Sequence, residues 1–336
     1  MKFLKINLQL FANHVNVTTD ATSGNNLSAE MKTFYDMTLI DEASSQLVHD
    51  QFGQKRPIPK GGGKTIEFRK FSSLPKAMTA LTEGVTPDGK TLDVTSITAT
   101  VAQYGDYITQ SDVLELTALD NTILEATKLL GRQAGLTLDT ITRNVLNAGT
   151  NVTYCPKLVG DAETAVTSRS DLDTTSVLTV KVVQQVVAKL KGQNAPKING
   201  AYIGIIHPYN AYQLMRDPEW KYPHQYKDTS NLYEGEIGMI AGVRFVETTE
   251  AKVWNTGTHA IFSTLFIGDG AYGVTEITGG GLQTIVKQKG SAGTADPLDQ
   301  RSSVGWKAIK TAELLIPNYL VRVESCVPEF DNTAAN

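Results

Sequence analysis

The sequence predicts an α+β fold built from an extended arm, a long hairpin, one long helix and a compact region of mixed strands and helices. Three observations predict it. A helical stripe of apolar residues runs from Asn121 to Ala148. Two strand-like runs flank a long polar excursion upstream of that stripe. Downstream, short apolar runs alternate with amphipathic segments. With 41% hydrophobic and 20% charged residues, the composition is that of a folded chain, and 28 glycines tilt it toward strands and loops.

Residues 1 to about 27 end in the polar stretch TTDATSGNN and read as an arm with little core-forming capacity. A helix is expected from Ser28, because Tyr35, Leu39, Ala43 and Leu47 recur at helical spacing. Pro57, Pro59 and Gly61 to Gly63 then break it. Thr65 to Phe71 alternates as a strand, with Ile66, Phe68 and Lys70 on one side and Glu67, Arg69 and Phe71 on the other. The excursion SSLPKAMTALTEGVTPDGKTLDV separates it from Ser96 to Tyr104, which is expected to pair back onto it. A connection of that length inside a domain usually means either function or disorder.

In the long helix, Ile123, Ala126, Leu130, Ala134, Leu138, Ile141, Val145 and Ala148 form the expected inward face. Its length at 1.5 Å per residue is about 40 Å, and Gly131 and Gly135 each weaken it by about 1 kcal/mol relative to alanine. Gly149 is the expected stop. A second helix, about Val177 to Lys191, should bury Val180, Val183, Val187 and Leu190 and close at Gly192. The runs 201–206, 242–246, 260–267 and 282–286 complete a mixed sheet expected to span about 155 to 290. Final strands near 306–315 and 319–323 precede a polar tail, DNTAAN. No internal repeat argues for a solenoid or propeller.

Charge and motifs exclude several function classes. A net charge of −4 does not suit a protein whose main task is to grip nucleic-acid phosphates. Two cysteines, Cys155 and Cys326, make no disulfide framework and suit a reducing compartment. The opening MKFLKINLQLFAN lacks a signal-peptide pattern, and no run approaches the roughly 18 apolar residues of a membrane span. Gly61-Gly62-Gly63-Lys64-Thr65 imitates the end of a phosphate-binding loop. However, position 58 is Ile58 where that motif needs glycine, and a strand, not a helix, is expected to follow. His14, His49, His207, His224 and His259 are too scattered for a metal-ligand motif. No catalytic residue, metal or cofactor is therefore assigned. The one local excess of positive charge comprises Lys55, Arg56, Lys60, Lys64, Arg69, Lys70 and Lys76, at the root of the hairpin. A solvated face explains it; so does contact with acidic surfaces of neighbouring subunits. Of these, Lys55, Arg56, Lys64, Arg69, Lys70 and Lys76 are the candidate inter-subunit contacts.

Several stretches, in order, resemble the major capsid proteins of tailed bacteriophages, in particular the phage N-four type major capsid family. They are Asn7-Leu8-Gln9-Leu10-Phe11-Ala12, His207-Pro208 leading to Arg216-Asp217-Pro218-Glu219-Trp220, Gly235-Glu236-Ile237-Gly238 followed by Ala241 to Thr248, and Asp296-Pro297-Leu298-Asp299-Gln300 with Gly305-Trp306-Lys307. The resemblance implies the fold of tailed-phage and herpesvirus shells. That fold would place an N-terminal arm and first helix in 1–60, an extended hairpin loop in 61–110, and a peripheral domain with a spine helix in 111–155. An axial domain would occupy 156–300, with a return to the peripheral domain and tail in 301–336. It further implies a structural subunit of the virion capsid, assembled in the host cytoplasm. Its partners would be copies of itself as pentamers and hexamers, together with scaffolding and portal proteins, around double-stranded DNA that it does not read by sequence. A nonviral cargo compartment and a phosphate-ligand enzyme are the alternatives.

Overall fold

The computed structural model describes residues 37–40, 42–43, 47–71, 74, 76–81, 83–84, 86, 89–117, 122–160, 162–220, 239–276, 280–291 and 296–336. The expected arm, the helix start at Ser28 and the stretch Gly235 to Gly238 lie outside these residues. The chain divides into two compact units, the first comprising 1–45, 104–135 and 282–308 and the second 46–103, 136–281 and 309–336.

In the first unit, strands β4 (Ala102–Ser111) and β14 (Gln283–Lys287) flank the opening half of β15 (Arg301–Leu314). β14 and β15 are antiparallel, with Gln283 opposite Lys307. Two glycines let β4 and β15 approach closely. A Cβ on Gly105 would lie 2.5 Å from the Trp306 carbonyl oxygen, and one on Gly305 would lie 2.7 Å from Tyr107 Cβ. A short helix, α1 (Asp112–Thr117), follows β4, and the first half of α2 (Thr122–Asn147) completes the unit. Gln133 on α2 joins the layers: its Nε2 donates to Asp106 at 2.6 Å and its Oε1 accepts from Trp306 Nε1 at 3.3 Å. The Gln133 and Tyr107 donors hold the Asp106 carboxyl below its ordinary value.

The helical residues 37–40 and 42–43 bury Leu39 and Ala43, as the spacing predicts. Gly131 receives them, since a Cβ there would stand 2.9 Å from the Leu39 carbonyl oxygen. This glycine, which costs helix propensity, makes room for a helix crossing.

The second unit centres on a seven-stranded sheet, ordered β5 (Val152–Tyr154), β16 (Leu320–Cys326), β12 (Ala260–Ile267), β8 (Tyr202–Ile206), β10 (Val243–Glu247) and β9 (Met239–Ile240), with β11 (Val253–Asn255) also on β12. β8 and β10 run parallel, whereas β12 is antiparallel to both β8 and β16. Strands β8, β12 and β16 are buried along their whole length, so both faces of the sheet are covered there; β8 is apolar throughout, whereas β12 also buries Ser263 and Thr264 and β16 buries Arg322, Glu324 and Ser325. On one face lies α3 (Val180–Gly192), with Val180, Val183, Val187 and Leu190 inside, as expected. Its start is doubly capped, by the Thr179 hydroxyl on Val182 N and by Asp217 on Val180 N. α4 (Pro208–Arg216) starts with proline at its first turn. A small hairpin, β6 (Lys157–Val159) with β7 (Ala162–Thr164), lies between β5 and α3 in sequence.

Two expectations about the sheet change. Residues 282–286 leave the mixed sheet for β15, so the stretch 156–300 divides between the units. Nor does 301–336 stay together: β16 lies between β5 and β12, where the buried Leu320, Val321 and Val323 have cover on both faces. The closing half of β15 pairs with β13 (Tyr272–Glu276), which pairs in parallel with β1 (Gln54–Lys55). Finally, β2 (Thr65–Phe71) and β3 (Val94–Thr100) form the expected hairpin.

A candidate interaction surface on the hairpin

The hairpin is registered Thr65 to Thr100 at its root and Phe71 to Val94 at its outer end. Alternation places Phe68 and Ala99 in a small core with Leu315, joined by Ile66, Ile97 and Ile316. The opposite face carries exposed Glu67, Arg69, Ser96 and Thr98. Gly61 and Gly63 both adopt positive φ, at 86° and 89°, conformations that glycine reaches without a Cβ clash. They turn the chain into β2, and the Lys64 carbonyl accepts from Val101 N at 3.0 Å. Thr65 opens a strand, so the phosphate-loop imitation lacks its helix.

Of the six candidate contacts, Lys64, Arg69 and Lys70 fall on or beside β2, Lys55 on β1, Arg56 just after it, and Lys76 in the outer segment. The Lys70 side chain lies outside the described residues. Lys55, Arg56, Lys64, Arg69 and Lys76 are exposed. Arg56 lies 5.6 Å from the Phe68 ring centre, bringing the β1 segment to the hairpin root. Arg69 sits 3.6 Å from Glu67, an exposed pair of small energetic worth.

The charge pattern missed a second feature. Beyond Phe71 and Val94 the described residues include Leu74, Met78, Leu81 and Leu92, all strongly exposed, with Met78 at 84% and Leu92 at 68%. The signal was present in the excursion as apolar residues scattered without period. Among the described residues no group of three acidic, histidine or cysteine side chains is placed to hold a metal. None of their helices is long and apolar enough to cross a membrane.

Comparison with known protein families matches residues 4–287 to the family described as phage capsid protein. The chain belongs to the phage capsid protein family. That description goes no finer than phage capsid, so the N-four subtype is not part of it. Among solved structures, this capsid chain is similar to the capsid of cyanophage P-SCSP1u, with 14% identity over 84% of this chain and 88% of that one and a TM-score of 0.64. It is also similar to the capsid of Ralstonia phage GP4, at 12% identity, the same coverages and the same score. Cyanophage Pam1 capsid matches with 13% identity over 85% and 92%, at 0.61. A search of curated proteins finds no match. The capsid chain thus has the tailed-phage capsid fold, and its family role is that of a structural major capsid subunit.

Proposed function

We propose that this capsid chain assembles with copies of itself, as pentamers and hexamers, into a closed icosahedral shell around double-stranded DNA, and that it does no catalytic work. Scaffolding and portal proteins are the expected partners, and the host cytoplasm is the place of assembly. The hairpin carries the reading. Its root uses up the apolar face of β2 and β3, while its outer segment presents uncovered Leu74, Met78, Leu81 and Leu92 together with Lys76; Arg69 is exposed near the outer end of β2 and Lys64 at the root. An exposed apolar set with charged flanks suits a heterologous contact on another copy, and rotation closes such contacts into rings. Several modest contacts per subunit then add through multivalency. In this reading the seven-stranded sheet and α3 form the axial part. The peripheral part is the opening half of α2 with β4, β14 and the start of β15.

Electron microscopy and sedimentation of the purified chain test it. Closed shells, or rings of five or six, are expected. Lys64→Glu with Arg69→Glu and Lys76→Glu should lower particle yield at unchanged melting temperature. A monomer or dimer under all conditions, scaffold included, overturns the proposal.

A further inference from the structure

Residues 328–336, which include the polar tail DNTAAN, are pinned along the tip of the β11–β12 hairpin. After the buried Val327, a single turn at Pro328–Phe330 starts the segment. Glu329 pairs with Arg216 at the end of α4. The Phe330 ring stacks on Tyr209 with centres 3.8 Å apart and planes 7° from parallel, and meets Tyr212 edge-on. Asp331 lies 2.7 Å from His259 Nδ1, and its carbonyl and carboxylate oxygens both accept from Ala260 N. The Thr333 carbonyl then accepts from Asn255 Nδ2. At Asn336, the side-chain oxygen accepts from Val253 N at 2.9 Å and the backbone N–H donates to Val253 O at 3.3 Å.

Those last bonds matter because of where Val253 stands. β11 pairs with β12, with Val253 opposite Phe262, yet the Val253 amide and carbonyl bond to Asn336. The segment therefore crosses from Ala260 to the free edge of β11 and occupies the edge groups an added strand would use. Most of its residues are exposed, and only Phe330, Asp331 and Thr333 are half-buried. It touches the sheet through separate anchors, as a docked peptide does, without sharing a ladder.

We infer that residues 328–336 are a releasable strap that masks the edge of β11 from pairing with the same edge of a second copy of this chain. An unpaired edge is a template for strand addition, and identical edges are self-complementary when antiparallel. The strap keeps association on surfaces that close, where edge pairing would divert subunits into open chains.

The test uses the full chain. Phe330→Ala removes the aromatic anchor, and Asp331→Asn weakens the His259 contact without opening core volume. Amide hydrogen exchange should rise at least tenfold at Val253 and Ala260 in both variants while Ser263 and Leu265, central in β12, stay protected. Sedimentation should then show open-ended, concentration-dependent association that the parent chain, with its closed shells or rings, lacks and that an excess of the free peptide of residues 327–336 suppresses. Unchanged exchange at Val253 and Ala260 in both variants overturns the strap. Local release without association overturns the mask. If Phe330→Ala also deprotects Ser263 and Leu265, Asp331→Asn decides by the same two readouts.

Discussion

His49 and Asp139, 90 residues apart, meet in a fully buried contact with Nδ1 and Oδ2 separated by 2.6 Å. The other Asp139 oxygen accepts from the backbone amides of Val48 and His49 at 2.9 and 2.7 Å. The Tyr272 hydroxyl donates to the His49 carbonyl, and burial pushes that phenol well above its ordinary range. Next along the chain, Asp50 takes the Thr142 hydroxyl at 2.5 Å and pairs with Lys310. A short polar segment before β1 is thereby fixed to the closing half of α2 by side chains of that helix.

Removing the Asp139 carboxylate strands three donors, two of them on the fully buried His49. Asp139→Ala is expected to destabilise the chain by about 3–5 kcal/mol, the cost of breaking a buried polar cluster from one side. Asp139→Asn keeps an acceptor for the two amides and should cost about half as much. Denaturant unfolding of both variants checks the order; equal losses would show that cavity formation, not hydrogen bonding, sets the cost.

Two helical glycines should respond oppositely to alanine. At Gly131 the added methyl meets the Leu39 carbonyl oxygen at 2.9 Å, a backbone atom that cannot swing away, and Glu42 Cβ at 3.0 Å, which side-chain rotation does not move. At Gly192, the last residue of α3, nothing lies within 4 Å and φ is not positive. Gly192→Ala should stabilise by about 0.5–1 kcal/mol through helix propensity and reduced unfolded-state entropy. Gly131→Ala has the same propensity gain but is expected to lose about 1–3 kcal/mol net to overpacking. Paired thermal melts decide, and a stabilising Gly131→Ala would mean that the crossing helix moves aside.

Much of this was legible in the sequence, and α2 shows where legibility stops. The helix was expected from Asn121 to Ala148 and spans Thr122–Asn147. Its inward line holds through Ala126, Leu130, Ala134 and Leu138, all buried. It then continues through Asp139, Thr142, Arg143, Leu146 and Asn147, whereas Ile141 and Val145 are only half-buried and Ala148 is exposed. Apolar spacing points to Ile141, Val145 and Ala148, but here the buried face is polar because distant partners satisfy it. Ser263 donates to Asn147, and Arg143 reaches the Glu250 carbonyl. Periodicity carries no information about such partners. Likewise, the tail DNTAAN has no composition signal for the anchors it uses. On the hairpin, by contrast, alternation alone puts Ile66 and Phe68 on one shared side, and that is the side that packs in the small core with Leu315.

His207 gives the fold an acid-sensitive point. Burial pushes its imidazole down to about 4, and the ring nitrogen Nδ1 accepts from Tyr209 N at the start of α4, a bond that protonation would remove. Since the folded value lies below the ordinary 6.5, protons bind the unfolded chain first. The contribution is complete above about 6.5 and is lost as pH falls toward 4, by up to about 3 kcal/mol. His207→Asn keeps a capping acceptor and no titration, so its stability should fall less between about pH 6.5 and 4.5 than that of the parent chain. Parallel pH slopes in urea unfolding would remove His207 from the account.

Glu324 sits fully buried on β16 between two guanidinium groups. Arg169 reaches it in a bidentate pair, with both bonds 2.6 Å, and Arg322 Nε donates at 2.9 Å. Arg322 also donates to the carbonyls of Asn147 and Gly149, satisfying backbone left open where α2 ends. Trp254 stacks on Arg169, 3.7 Å from its ring centre. The two arginines differ in what they can do once the carboxylate is gone. Arg169 is about one-third exposed and can turn to water; Arg322 is nearly buried and held by the helix end. Glu324→Ala should therefore cost about 3–5 kcal/mol, dominated by the uncompensated Arg322 charge. Arg169→Ala should cost clearly less, since Glu324 keeps Arg322. Combining Glu324→Leu with Arg322→Met removes both buried charges and should recover part of the loss, although the α2 carbonyls then lose their donor. A double-mutant cycle by denaturant unfolding measures the coupling. If the double variant is no more stable than Glu324→Leu alone, the helix-end bonds of Arg322, and not its pairing with Glu324, hold β16 to α2.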